Sequence, residues 1–296
     1  MLSILPQIGI LGFGYLGQTI ARWIDPDRQI WATVQSEDAH AAISERIQPV
    51  LFRWDEPETW QHIPERESLL VITIPPVLNE PGAEKDRLRS WLAWMHKHRP
   101  QIRRCIYISS TGVYPVLPGN WSETSVFEGD SVKGQLRLTT EQVLAEWLDS
   151  TAIRPGAIYG ADRNIGVRIL AGKPIPKGEQ PVHRIHVIDL ARLVLQLAAS
   201  DRSIDRVNAV DLKAETTRSV AEWLVQQSFF PADSSAEIQY RSEFQTRKFN
   251  LSEPDRKISN QRLVEELKFS FRFPSYKEGL KDAFTSPDNS SEPAES

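Results

Sequence analysis

The sequence predicts an α/β protein built on a doubly wound parallel sheet. Short apolar runs of strand length alternate with helix-length segments along its first half. A glycine cluster sits at the first strand–helix junction, and 296 residues suffice for one large domain or two closely connected ones. Alternation at this spacing is the signature of parallel strands joined by helical crossovers.

The elements follow in order. Ile8–Leu11 reads as the first strand and Leu16–Ile24 as an amphipathic helix. Gln29–Val34 is the second apolar run, followed by a polar helical segment, Glu37–Arg46. Pro49–Phe52, Leu69–Ile74 and Arg104–Ile108 are further strands, separated by helix-like segments at Pro57–His62 and Ala83–His98. In the last of these, Leu88, Trp91, Leu92 and Met95 fall at i, i+3, i+4 and i+7, so one face is expected to pack on the sheet. SVKGQLRLTTE, residues 131 to 141, opens another helix, on which Lys133, Arg137 and Glu141 share a face and the glutamate balances the arginine. The Ser/Pro/Asp/Glu-rich tail Thr285–Ser296 lacks apolar periodicity and is expected to be disordered.

Composition narrows the function classes. A net charge of −4, without a basic cluster interleaved with aromatics, gives no pull toward nucleic acid. The single cysteine, Cys105, excludes an intrachain disulfide framework and suits a reducing compartment. The apolar opening has no basic n-region, and its first charge is Arg22, so it does not read as a secretory signal. No run approaches the ~18 apolar residues of a membrane span. A cytoplasmic protein working on a small molecule is the expectation.

The glycines supply the chemistry. ILGFGYLG places Gly12, Gly14 and Gly17 as G-x-G-x-x-G directly between a strand and a helix. In that context the first glycine serves a tight turn, the second lets backbone approach a pyrophosphate, and the third lets helix and strand pack closely. Tyr15 and Leu16 contribute to the helix N-terminus, whose first-turn N–H groups and partial positive charge favour phosphate. A dinucleotide, NADP or NAD, is the expected cofactor. The adenosine ribose is read about 20 residues farther on, where Gln35 and Ser36 stand in place of an acid. Their neutrality favours NADP. A shift of two in register would make Glu37 or Asp38 the ribose acid, and no arginine stands at the spot in sequence to clamp a 2′-phosphate.

Later segments are more specific. CIYISSTGVYP (Cys105–Pro115), AIRPGAIYGADRN (Ala152–Asn164), RIHVIDLARLV (Arg184–Val194) and KISNQRLVEELKFSFRFPSYKEGL (Lys257–Leu280) occur in this order. Together they resemble the extended, atypical short-chain dehydrogenase/reductases, the NAD(P)-dependent epimerase/dehydratase-like family, over nearly the whole chain up to about Phe284. The resemblance implies a Rossmann-type doubly wound parallel sheet with a smaller C-terminal substrate domain. Residues 1–154 and about 182–210 would form the NAD(P)-binding domain, and 155–181 and 211–284 the substrate domain. A substrate cleft between them is implied, lined by Tyr114, Tyr159 and Asn164, the last two alternatively serving loop packing.

Family enzymes carry Tyr-x-x-x-Lys on the helix after the Ser/Thr strand, with a glutamate four residues beyond the lysine. Glu141 matches that glutamate, which puts Arg137 in the lysine's place and Lys133 in the tyrosine's. The catalytic tyrosine is therefore missing. Ser110, four residues before Tyr114, matches the family's catalytic Ser/Thr, and its alternative role is to cap nearby backbone. Arg137 is expected to bind ribose hydroxyls or phosphate through its fork of donors. Lys133 could act as a base only if burial and the like charge of Arg137 depressed its pKa, whereas an anion contact needs no such shift.

Other constellations are weaker. His96 and His98 point to different helix faces, and His183 and His186 suit packing or hydrogen bonding better than chemistry. No zinc spacing, Walker lysine or nucleophile elbow is present, so no metal is expected. Trp54, Trp60 and Trp121 either wall the cleft or fill core. Three readings remain: an oxidoreductase or epimerase with a nonstandard active site, acting on a nucleotide sugar or other carbonyl or hydroxyl compound; a non-catalytic NAD(P)-binding regulator or sensor; and a lyase-like or isomerase use of a tightly held cofactor.

Overall fold

The computed structural model describes residues 7–36, 46–66, 68–76, 83–176, 180–231, 238–241 and 256–286. The helical segment expected after the second strand (residues 37–45, with Glu37 and Asp38) and the tail from residue 287 onward lie outside the described residues. The chain divides into two compact units: residues 1–115, 126–154 and 190–207, and residues 116–125, 155–189 and 208–296.

Seven strands form the sheet of the first unit: β1 (Ile8–Leu11), β2 (Ile30–Val34), β3 (Ile47–Leu51), β4 (Leu69–Ile72), β5 (Arg104–Ile108), β6 (Asp149–Pro155) and β7 (Arg206–Ala209). They lie in the order β7-β6-β5-β4-β1-β2-β3. The pairing is parallel, with Gly9 beside Trp31, Ile10 beside Val71 and Ile106 beside Thr151. The order reverses at β1, which makes the crevice at its carboxyl end the topological switch point. All residues of β1, β2 and β4 are buried, as strands covered on both faces require.

Helix α1 (Tyr15–Trp23) buries Leu16, Ile20 and Ala21. Helix α2 (Ala83–His98) buries the stripe Leu88, Trp91, Leu92 and Met95 that periodicity singled out. Helix α3 (Val132–Trp147) starts at Ser131, whose Oγ accepts from the Gly134 N–H at 3.1 Å. Trp60 is buried in the core and Trp54 packs against its edge, so both fill core. Pro57–His62 forms a 3₁₀ helix with its proline at the first position, where no N–H is needed.

The second unit is built from short two-stranded pieces around helices α4 (Ile165–Leu170), α6 (Thr217–Val225) and α7 (Tyr276–Thr285); between them α5 (Val187–Ala198) runs from this unit into the first. Residues 119–121 pair with 256–258, and 157–159 pair with 184–186. These pairings draw 116–125 and 182–189 into this unit, where the sequence-based boundaries had them in the first. Asp189 is fully buried and accepts from the Arg272 and Phe273 N–H groups, both at 2.8 Å. The closing stretch begins with strand 256–258 and a single π-helical turn, Arg262–Glu266, before α7. No helix among the described residues is long and apolar enough to cross a membrane.

Candidate functional site

The glycine loop follows β1 at the switch point. Gly12 has φ +100°, and a Cβ there would lie 2.5 Å from Thr73 Oγ1. A Cβ on Gly17 would lie 2.5 Å from the Gly12 carbonyl oxygen, so helix and loop touch through backbone alone. Around Gly14 a Cβ would meet nothing within 4 Å. That open space lies before the first turn of α1, which carries no acidic residue and whose N-terminal end bears the positive pole of the helix.

Two threonines fix the loop. Gly12 N–H donates to Thr33 Oγ1 on β2 at 2.8 Å, and Thr73 Oγ1, just past β4, donates to the Gly12 carbonyl at 2.7 Å. Gln35 and Ser36 follow β2, Gln35 exposed and Ser36 half-buried. The fold brings an arginine to this spot after all, which corrects the reading from sequence alone. Arg53, just beyond the neighbouring strand β3, donates from Nε to the Gln35 carbonyl at 2.9 Å and from Nη1 to Glu56 Oε1 at 2.7 Å. Its Nη2 has no hydrogen-bond partner among the described residues.

A second cluster lies where β5, β6 and α3 meet. Arg154, fully buried on β6, grips Glu141 of α3 with Nε to Oε1 at 3.0 Å and Nη2 to Oε2 at 2.6 Å. Arg154 Nη1 donates to the Tyr114 hydroxyl at 2.9 Å, and the guanidinium lies over the rings of Tyr114 and Phe127. Ser109 Oγ completes the network by donating to Glu141 Oε1 at 2.5 Å. Burial pulls the Arg154 pKa down, but the Glu141 carboxylate raises it further, so the net shift is upward.

This network overturns two expectations. Glu141 does not balance Arg137, because a guanidinium cut off from water takes the carboxylate first. Tyr114 is 0 % exposed and packs on Phe127, so it lines no open surface. Arg137 instead donates from Nη1 to the carbonyls of Ile108 and Ser109 at 3.2 and 2.8 Å, clamping the carboxyl end of β5. Ser110 follows directly, and its Oγ accepts from the Gly112 N–H at 3.0 Å. Lys133 is exposed on the first turn of α3. Ser110, Lys133 and Arg137 thus belong to one neighbourhood, built from the end of β5 and the start of α3. Cys105 is buried in the sheet, which pushes its thiol up to about 12 and makes it inert.

Tyr159 and Asn164 belong to the second unit. The Tyr159 hydroxyl donates to the Ser275 carbonyl at 3.1 Å. Asn164 caps α4, its Oδ1 accepting from Val167 N–H at 3.1 Å and its Nδ2 donating to the carbonyls of Gly160 and Ala161. His186 is sandwiched by Tyr159 and Phe273, and burial, with the charge of Arg272, pushes its pKa down to about 3. It is a neutral packing residue at ordinary pH.

No family profile matches the chain. Protein YeeZ of Escherichia coli K12 is 27% identical over 293 residues, covering 91% of this chain and 97% of that protein. Among solved structures, UDP-N-acetylglucosamine 4-epimerase from Methanobrevibacter ruminantium M1, in complex with UDP-N-acetylmuramic acid, superposes with a TM-score of 0.72 at 16% identity, covering 94% of this chain and 97% of its own. The dTDP-glucose 4,6-dehydratase DesIV from Streptomyces venezuelae, solved with NAD and TYD, gives 0.73 at 14% identity, covering 94% and 95%. The chain shares its fold with these epimerase and dehydratase structures.

Proposed function

We propose that the protein binds NADP, or NAD more weakly, and is an epimerase/dehydratase-like oxidoreductase whose active site lacks Tyr-x-x-x-Lys. The observation that carries this reading is the glycine loop: at the switch point of the sheet, pinned by Thr33 and Thr73, with open space only at Gly14. Those features suit a pyrophosphate lying against α1. When bound, a nicotinamide cofactor supplies the hydride donor or acceptor. The chain's own part is to hold the reacting oxygen and move a proton. Ser110 suits the first task, since its Oγ accepts from the Gly112 N–H and, among the described residues, its own proton has no acceptor. Lys133, being exposed, lacks the burial a general base there would need, so its role is contact with a substrate or phosphate anion. Arg137 acts by holding the β5 carbonyls that aim Ser110.

NADP is the favoured form because Arg53 supplies the cation that the second strand lacks. Its Nη2 is available to a 2′-phosphate beside Gln35 and Ser36, and Glu56 holds the fork in place. A charge-assisted hydrogen bond to a phosphate is roughly twice as strong as a neutral one. Arg53→Ala should therefore weaken NADPH by about 10- to 100-fold and leave NADH nearly unchanged, as read by fluorescence titration. Equal losses for both nucleotides would assign Arg53 to the loop's structure instead.

Activity separates the enzyme from a sensor, the second reading, which the missing tyrosine favours. NADPH oxidation should be assayed against small carbonyls and nucleotide sugars. In the enzyme, Ser110→Ala should cost about 10²–10⁴-fold in kcat with NADPH affinity intact. Turnover that survives both Ser110→Ala and Lys133→Ala would place the chemistry elsewhere. Tight NADPH binding with no turnover across the panel would favour the sensor.

A further inference from the structure

The second unit contains a cavity of about 200 Å³, lined by residues of that unit alone. Ile165, Ile175, Val220 and Leu280 give it hydrocarbon walls. Two of its polar side chains are already committed: Tyr159 to the Ser275 carbonyl, and Asn164 to the cap of α4. The others include two guanidiniums, Arg168 and Arg184.

Neither cation has a carboxylate within ion-pair distance among the described residues. Arg184 Nη1 donates to two backbone carbonyls, of Val182 at 2.9 Å and Glu215 at 2.7 Å, while the Glu215 carboxylate pairs with Lys213. Arg168 donates from Nη2 to the Pro174 carbonyl, and its Nε is buried without a partner. The acid nearest in charge to Arg184 is Asp211, which is buried with Oδ2 unpaired. Burial pushes Asp211 up to about 7, although the Lys213 N–H and Arg184 pull the other way. It therefore supplies only part of a counter-charge near neutrality. Positive charge at an apolar wall is costly unless an anion meets it. A cavity of ~150 Å³ accommodates a benzene, so this one has room for a ring and a carboxylate. A nucleobase would find few free donors and acceptors for its edge.

We infer that this cavity binds a compact organic acid, one carboxylate on an apolar body of about a single ring, with Arg184 and Arg168 taking the carboxylate. The inference names the substrate class for the function proposed above and rests on that reading only in calling the acid a substrate. Binding itself needs no cofactor.

Calorimetric titration of the full chain tests it, with benzoate, benzyl alcohol, acetate, uridine monophosphate and, separately, NADPH. Benzoate should bind at least about tenfold more tightly than benzyl alcohol or acetate, the margin expected of a charge-assisted contact on an apolar base. Arg184→Gln should remove that margin over benzyl alcohol. Val220→Phe, which narrows the cavity at a residue that is not a backbone partner of either arginine, should abolish benzoate binding and leave NADPH affinity unchanged. Benzoate no better than acetate, benzoate binding that survives Val220→Phe, or uridine monophosphate bound in preference to benzoate would each overturn the assignment. Benzoate binding without NADPH binding would leave this site standing and remove the cofactor reading, and the reverse result would do the opposite.

Discussion

Arg154→Met should destabilise the protein by about 3–5 kcal/mol, the cost of leaving one partner of a buried ion pair uncompensated. The size follows from burial: the side chains of Arg154 and Glu141 are 0% and 8% exposed. Removing the guanidinium strips the carboxylate of two short hydrogen bonds and removes the Arg154 donor from the Tyr114 hydroxyl. Only the Ser109 hydroxyl would remain to Glu141 in this network. Urea unfolding followed by circular dichroism reads the loss. Converting Glu141→Leu in the same chain should recover most of it, because an apolar pair of similar volume avoids the desolvation that the ion pair must overcome. A single variant within about 1 kcal/mol of wild type would mean that water reaches Glu141.

That network also marks where the sequence stopped being readable. The strands were legible because parallel strands buried on both faces are continuous apolar runs, as Leu69–Ile72 is. The glycine loop was legible because each glycine has a separate steric task. Pairings across elements were not. Helical spacing compares Glu141 only with neighbours on its own helix, so it offered Arg137, whereas the true partner lies on β6. An arginine inside the apolar strand run Ala152–Pro155 was the available signal, since a buried cation must find an acid. Arg53 escaped for the same reason: it lies 18 positions from Gln35 in sequence and reaches it only because β2 and β3 pair in register. Thr33 and Thr73 lie within apolar strand runs with nothing in the sequence to single them out, and only the fold sets them on either side of Gly12.

Gly14→Val should abolish NADPH binding while leaving the fold close to intact, and of the three loop glycines only this one separates binding from folding. A side chain at Gly12 would meet Thr73 Oγ1 and adopt a left-handed φ, and one at Gly17 would press on the Gly12 carbonyl. Substitution at either would disturb β1 and α1 before any ligand is considered. Gly14 has φ −85° and ψ −158°, backbone that any residue adopts, and nothing within 4 Å of its would-be Cβ. The valine methyls would therefore enter only the space where backbone is to meet a pyrophosphate. Replacing glycine by valine at the helix N-cap costs about 1 kcal/mol, a fall in Tm of about 2–4 °C for a chain of this size. Fluorescence titration with NADPH and a thermal melt, run on the same preparations, read the two effects separately. Wild-type affinity in the variant would remove the cofactor assignment, whatever the melt shows. Lost binding with a Tm near that of wild type places the dinucleotide on the glycine loop.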